Sequence, residues 1–230
     1  VSSLLVIRHG QASIGSDDYD VLSVTGIEQS KRLGSHLATR GERLDLLFSG
    51  PRKRQRDTVA HLRSAAAQQG TVYPEADVIE GLDELPAFEL VRLGLPQLVE
   101  RDPEAKALSE GENANNLGKL FDLLLLRWAV GELDLPEVET FPQFEARVSA
   151  ALSEIMRRSG RGKRVAVVTS AGPTSIALRL ALGLSERKTC ELMNLVLNSA
   201  MTELQFRETE LSLSSFNGVP HLGRELITLR

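Results

Sequence analysis

Short continuous apolar runs alternate along this chain with longer stretches spaced for helices, and that alternation constrains the fold more than any other feature. Ser3–Ile7 (SLLVI) reads as a buried strand ending at Arg8, and Arg164–Thr169 (RVAVVT) as a second strong strand. Leu44–Ser49 (LDLLFS) has the same character, and Val72–Ile79 contains a further strand. Between them, Thr25–Glu28 has capping-box spacing for a helix that runs to about Arg40, where Gly41 stops it. Arg52–Gln69, Pro142–Ser159 and Pro173–Leu182 read as helices, Pro173 suiting a first turn. Ala200–Phe206 and Leu211–Phe216 alternate as a hairpin around Glu208-Thr209-Glu210. Strands alternating with helices predict an α/β three-layer sandwich on a mostly parallel sheet.

Residues 85–140 break this rhythm. Gly94, Pro96, Pro103, Gly111 and Pro136 punctuate helical stretches, the clearest being Asn116–Leu133. There Leu117, Leu120, Leu124 and Trp128 form a stripe expected to pack a core. The expectation is one domain over 1–230, carrying a helical cap insertion at about 85–140. A chain of 230 residues is long enough for one sizeable core.

Charge and cysteine usage narrow the function. A net charge of −4 gives no concentrated positive surface for nucleic acid. The longest apolar stretch, around Leu123–Val130, is interrupted by Arg127 and falls short of the roughly 20 residues that cross a bilayer. Val1-Ser2-Ser3 has no basic region or cleavage pattern ahead of it, so a soluble cytoplasmic protein is expected. The lone Cys190 forbids an intrachain disulfide and reads as a structural thiol. Paired cysteines, His-x-x-x-His and acidic Ca²⁺ loops are missing from the sequence, and neither a metal nor a cofactor is expected.

In open α/β sheets, ligands bind beyond the carboxyl ends of the strands. Arg8-His9-Gly10, Ser49–Arg54 and Thr169–Gly172 all fall there, and Asp83-Glu84 follows the Val72–Ile79 region. A histidine can act as a nucleophile and split one displacement into two, provided its other ring nitrogen is fixed. Arginines match phosphate oxygens with paired N–H donors. A carboxylic acid can protonate the leaving oxygen and then activate water. His9, Arg8, Arg54 and Glu84 supply that set. Arg52, Lys53 and Arg56, in the same basic run as Arg54, are expected on a solvated helix face, and His36 and His61 at surface or core positions of helices.

The run LLVIRHGQAS at Leu4–Ser13 resembles the start of the histidine phosphatase (phosphoglycerate mutase-like) superfamily. Leu47–Ala60 (LFSGPRKRQRDTVA) resembles its second signature, with Arg54 and Thr58 in the matching places, and Leu82-Asp83-Glu84 its leucine-x-glutamate. The resemblance implies a mixed six-stranded sandwich with a helical cap, His9 as nucleophile and Glu84 as general acid. Two positions depart from it. Ser170 in Val167–Gly172 stands where the family carries its second catalytic histidine, and Gly15 where many relatives have an asparagine.

A serine can donate one hydrogen bond to a phosphoryl oxygen but carries no charge, and losing such a donor costs about 2.7–4 kcal/mol of transition-state stabilisation. Ser170 and the Gly172 amide at a helix start are the remaining phosphate contacts expected. His221 could fold back to replace the missing histidine; packing of the C-terminal tail is the plainer role. The leading function is a phosphomonoesterase acting on a small phosphorylated substrate through phosphohistidine. A phosphoglycerate mutase-like transfer and a phospho-ligand-binding protein of weakened catalysis are the alternatives.

Overall fold

The computed structural model describes residues 1–13, 20–111, 113, 115–208 and 210–229. Six strands form one sheet: β1 (Ser2–Arg8), β2 (Leu46–Ser49), β3 (Ala76–Val78), β4 (Arg164–Thr169), β5 (Met201–Arg207) and β6 (Glu210–Gly218), in the order β3-β2-β4-β1-β5-β6. The first four run parallel, and β5 and β6 are antiparallel additions at one edge. The mixed, mostly parallel α/β sheet expected from the sequence is the observed one.

Both faces of the central strands are buried, which is why β1 and β4 read as unbroken apolar runs. Leu5, Ile7, Ala166 and Val168 point to one side, where α1 (Val24–Thr39) and α2 (Lys53–Gln68) cover them with Leu33, Leu37, Val59 and Leu62. Leu4, Val6, Val165 and Val167 point to the other, against α7 (Phe141–Ser159) and α8 (Ala171–Leu182). Fully burying each such Leu, Ile or Phe contributes about 1.5–3 kcal/mol.

Between β3 and α7 the chain forms α3 (Ala87–Glu89), a π-turn over Leu90–Gly94, α4 (Leu95–Arg101), α5 (Pro103–Glu110) and α6 (Asn115–Ala129). Leu98, Leu120, Leu124 and Trp128 join the same buried cluster as Phe141 and Phe144. Trp128 meets Phe141 edge to face at 5.4 Å and donates its indole N–H to the Glu139 carbonyl at 2.9 Å. After α8, α9 (Glu186–Met193) leads into the antiparallel edge.

Several boundaries differ from expectation for local reasons. Helix α1 is capped by Ser23, whose hydroxyl accepts from the Gly26 amide at 3.0 Å, and Glu28 pairs with Arg32 one turn on instead of closing a box with Thr25. Only three residues of Val72–Ile79 pair as β3, because β2 beside it is short and Val72 is exposed. Helix α6 ends at Ala129, since Gly131 takes a left-handed φ of 74°. Leu117, in the first turn of α6, is 74% exposed, so the buried stripe begins at Leu120. Helix α8 starts two residues before Pro173, at Ala171.

Candidate active site

The carboxyl ends of β1, β2 and β4 converge as the fold class predicts. His9 follows β1 directly, its amide donating to the Thr169 carbonyl at 2.8 Å and its own carbonyl accepting from the Ser199 amide at 3.1 Å. Gly10 then passes so close to α1 that a Cβ would lie 2.4 Å from the Gly26 carbonyl oxygen, so glycine is required there. Its amide donates to Thr58 Oγ1 at 3.0 Å, which ties the first signature to the second.

The imidazole of His9 is 3% exposed, with both ring nitrogens engaged. Nδ1 lies 2.7 Å from the Gly10 carbonyl, which can only accept, so Nδ1 carries the proton. Nε2 accepts from the Arg54 Nε–H at 3.0 Å. Arg54, in the first turn of α2, is itself held by Asp20 at 2.8 Å. Burial, then the charges of Arg54 and of Arg8, hold the His9 pKa well below its ordinary 6.5, opposed in part by the Gly10 carbonyl. The ring is therefore held neutral in a single tautomer, with Nε2 unprotonated.

Arg8 donates to the Val196 carbonyl and, at 2.6 Å, to the Leu229 carbonyl. Glu84 reaches the site from a loop pinned on both sides. Thr169 Oγ1 donates to the Leu82 carbonyl at 2.8 Å. Arg147, paired with Glu139 through two contacts of 2.8 Å, donates to the Gly81 and Asp83 carbonyls at 3.1 and 3.0 Å. One Glu84 carboxylate oxygen accepts from the amides of Leu85 at 3.0 Å and of Gly172 at 3.1 Å. It thus rests at the N-terminus of α8, where a negative charge is favoured.

Arg8, His9, Arg54 and Glu84 line one cavity of about 400 Å³ roofed by the cap. A wider groove of about 1120 Å³ lies at the opposite end of β1, between Val1 and the end of α7, and no histidine lines it. Chemistry, not size, picks out the first. Among the described residues, no group of three or more His, Cys, Asp or Glu side chains is placed to hold a metal ion. Nor is any helix among them long and apolar enough to cross a membrane.

Other expected residues sit differently. Ser170 is fully buried and does not line the cavity; its hydroxyl accepts from Gln55 Nε2 at 2.8 Å. Gln55 is fixed in turn by its carbonyl oxygen accepting from the Arg52 amide at 2.9 Å. The Gly172 amide, expected to face phosphate, is given to Glu84, and a Cβ there would fall 2.2 Å from the same carboxylate oxygen. His221 is buried beside His36 with its Nε2 2.9 Å from Ser199 Oγ; it does not line the cavity, and its pKa is pushed down to about 4 by burial and then by His36. Gly15 lies outside the described residues. Cys190 is buried, its thiol pushed up to about 11 by burial, as suits a structural role.

Arg52 corrects an expectation. It lines the cavity and pairs with Asp83 at 2.5 Å, because it caps α2 instead of sitting on its outer face, whereas Lys53 and Arg56 are solvated. Asp20 and Gln55 were not legible as site residues: neither type at either spacing signals chemistry, and each acts only through a neighbour that does.

The family model described as histidine phosphatase superfamily (branch 1) matches residues 4–118 and 95–218. No match was found among curated proteins. Among solved structures, Bacillus stearothermophilus YhfR superposes with a TM-score of 0.67 at 16% identity, covering 96% of this chain and 99% of its own. A phosphoglycerate mutase from Bacillus anthracis gives 0.64 at 15%, covering 96% and 94%. A phosphoserine phosphatase from Entamoeba histolytica, in complex with phosphoserine, gives 0.62 at 18%, covering 96% and 100%.

Proposed function

This chain belongs to the histidine phosphatase superfamily, and we propose that within it the protein is a phosphomonoesterase working through a phosphohistidine on His9. The observation that carries the reading is the ring of His9, which lines the cavity: neutral, proton on Nδ1, and Nε2 unprotonated beside Arg54. In the proposed sequence, Nε2 attacks phosphorus in line and the phosphorus–oxygen ester bond breaks. Protonated Glu84 gives its proton to the leaving oxygen. Glu84, now a carboxylate, takes a proton from water as that water attacks phosphorus, releasing inorganic phosphate and restoring His9. Arg8 and Arg54 turn their N–H groups onto the phosphoryl oxygens, where charge gathers in the transition state.

Glu84 needs its proton before the first step, and in the resting site its oxygen is used as an acceptor by two amides. Together with Ser170 in place of a second histidine, this favours one other reading, a phospho-ligand-binding protein with slow turnover. Phosphate release from p-nitrophenyl phosphate separates them. The proposal expects turnover by the unaltered protein and a loss of at least about 10³-fold in His9→Ala. Turnover that survives His9→Ala overturns the nucleophile; binding of vanadate without any turnover favours the second reading. The buried single thiol suits a reducing, cytoplasmic setting, which forms part of the proposal.

A further inference from the structure

We infer that the group esterified to phosphate in this site is bulky and apolar. The inference takes from the phosphatase reading only the position of the phosphate, at the His9 end of the cavity. The cavity is divided. Its floor is polar, with Arg8, His9, Arg52, Arg54 and Glu84. Its wall and mouth are Leu85, Phe88, Phe121, Leu125, Met193 and Leu229, from the cap, α9 and the C-terminal segment.

Charge is sorted along the same axis. Among the described residues lining the cavity the cations are Arg8, Arg52 and Arg54. Arg8 and Arg54 belong to the phosphate end, and Arg52 is paired with Asp83. The further charge on the cap side is Glu89, an anion. Asn194, a polar group of this wall, donates one amide N–H to Asp122 at 2.8 Å. Against the described residues of the cap side, a carboxylate on the substrate would therefore leave water for an apolar wall and the acidic Glu89.

An aromatic or alkyl group meets the opposite conditions. Phe88 is 73% exposed and Leu229 45% exposed at the mouth, while Leu125 behind them is buried. A side chain as large as Phe88 left in water beside a cavity gains by being covered. Phe121 adds further apolar surface to the same wall.

Two matched phosphonates test this without relying on turnover: 2-phenylethylphosphonate and 2-carboxyethylphosphonate, which differ in a phenyl ring against a carboxylate. Calorimetric titration of the whole protein is expected to give the phenyl compound an affinity at least about 10-fold higher. Phe88→Ala, at an exposed position whose truncation leaves the packing intact, and Phe121→Ala are each expected to shrink that ratio several-fold. Equal or tighter binding of the carboxylate compound overturns the inference, as does a ratio unmoved by both variants. Failure of the phosphatase reading shows separately: the phenyl compound binds with the predicted preference, yet neither p-nitrophenyl phosphate nor 2-phenylethyl phosphate is turned over.

Discussion

Arg54 donates its Nε–H to His9 Nε2 across 3.0 Å, so the guanidinium occupies the lone pair that attacks phosphorus in the proposed reaction. The contact forces Nε2 to be the unprotonated nitrogen, and the charge behind it keeps the ring from taking up a proton. Asp20 holds the other side of the same guanidinium. Arg54 thus holds a neutral ring at rest, and in the proposed reaction its N–H groups pass to the phosphoryl oxygens as Nε2 bonds to phosphorus.

This arrangement has a consequence for stability. His9 stays neutral in the folded protein well below pH 6.5, whereas in the unfolded chain it gains a proton near that value. Between the two the unfolded state binds more protons. The stability is therefore fully present above about pH 6.5 and is lost as pH falls toward the folded value. His221, pushed down to about 4, acts in the same direction. Urea unfolding at about pH 7 and about pH 5 is expected to show a steep loss for the unaltered protein. In His9→Gln the slope should be lower by up to ~1.4 kcal/mol per pH unit. Equal slopes would show that the buried imidazole charges as easily as a free one.

Gly172 is where Glu84 can be disturbed without touching Glu84. A methyl group at this position falls 2.2 Å from the carboxylate oxygen, a movable side chain, and 3.0 Å from the edge of Phe144. The methyl also presses on the buried Phe144 and Leu85, overpacking that costs about 1–3 kcal/mol, so Gly172→Ala should fold with a lowered Tm. Its kcat on an alkyl phosphate should fall by roughly 10²–10⁴-fold, the size of general-acid catalysis. The fall should be smaller on p-nitrophenyl phosphate, whose leaving group needs no proton. An alkyl phosphate turned over at the original rate would remove Glu84 from the proposed role.

Much of the fold was legible because its strands are buried on both faces: β1 and β4 could be read from Leu4–Ile7 and Val165–Val168 alone. The chemical residues were legible where they follow such strands directly, as Arg8 and His9 do. Arg54 and Glu84 were legible only through their setting in recognisable motifs. Pairings across the fold left no local trace. The Arg52–Asp83 ion pair, the Asp20–Arg54 contact and the Gln55–Ser170 hydrogen bond each join residues 31 or more positions apart. The cap was the least legible part, because short helices punctuated by proline and glycine take their faces from the partners they meet. Leu117 and Leu120 look alike in sequence, yet one is exposed and the other buried.

The Gln55–Ser170 contact predicts how a histidine, which the family resemblance implies at this place, can be introduced. Ser170 is fully buried with the Gln55 amide against its hydroxyl, so Ser170→His alone must displace a packed side chain. Overpacking of this kind costs about 1–3 kcal/mol, and the single variant should lose stability with no gain in rate. Gln55→Ala/Ser170→His opens the space, and should recover most of the stability and raise kcat on p-nitrophenyl phosphate by about 10-fold or more. Higher activity in the single variant would mean that Gln55 does not hold the position closed.

The most direct test of the central claim is to trap the intermediate. Protein mixed briefly with p-nitrophenyl phosphate and quenched in alkali, which preserves phosphohistidine, can be digested and sequenced by mass spectrometry. The account predicts one phosphoryl group, carried by His9 on Nε2, and none in His9→Ala. A phosphoryl group on any other residue, or turnover that proceeds with His9 unmodified throughout, would contradict it.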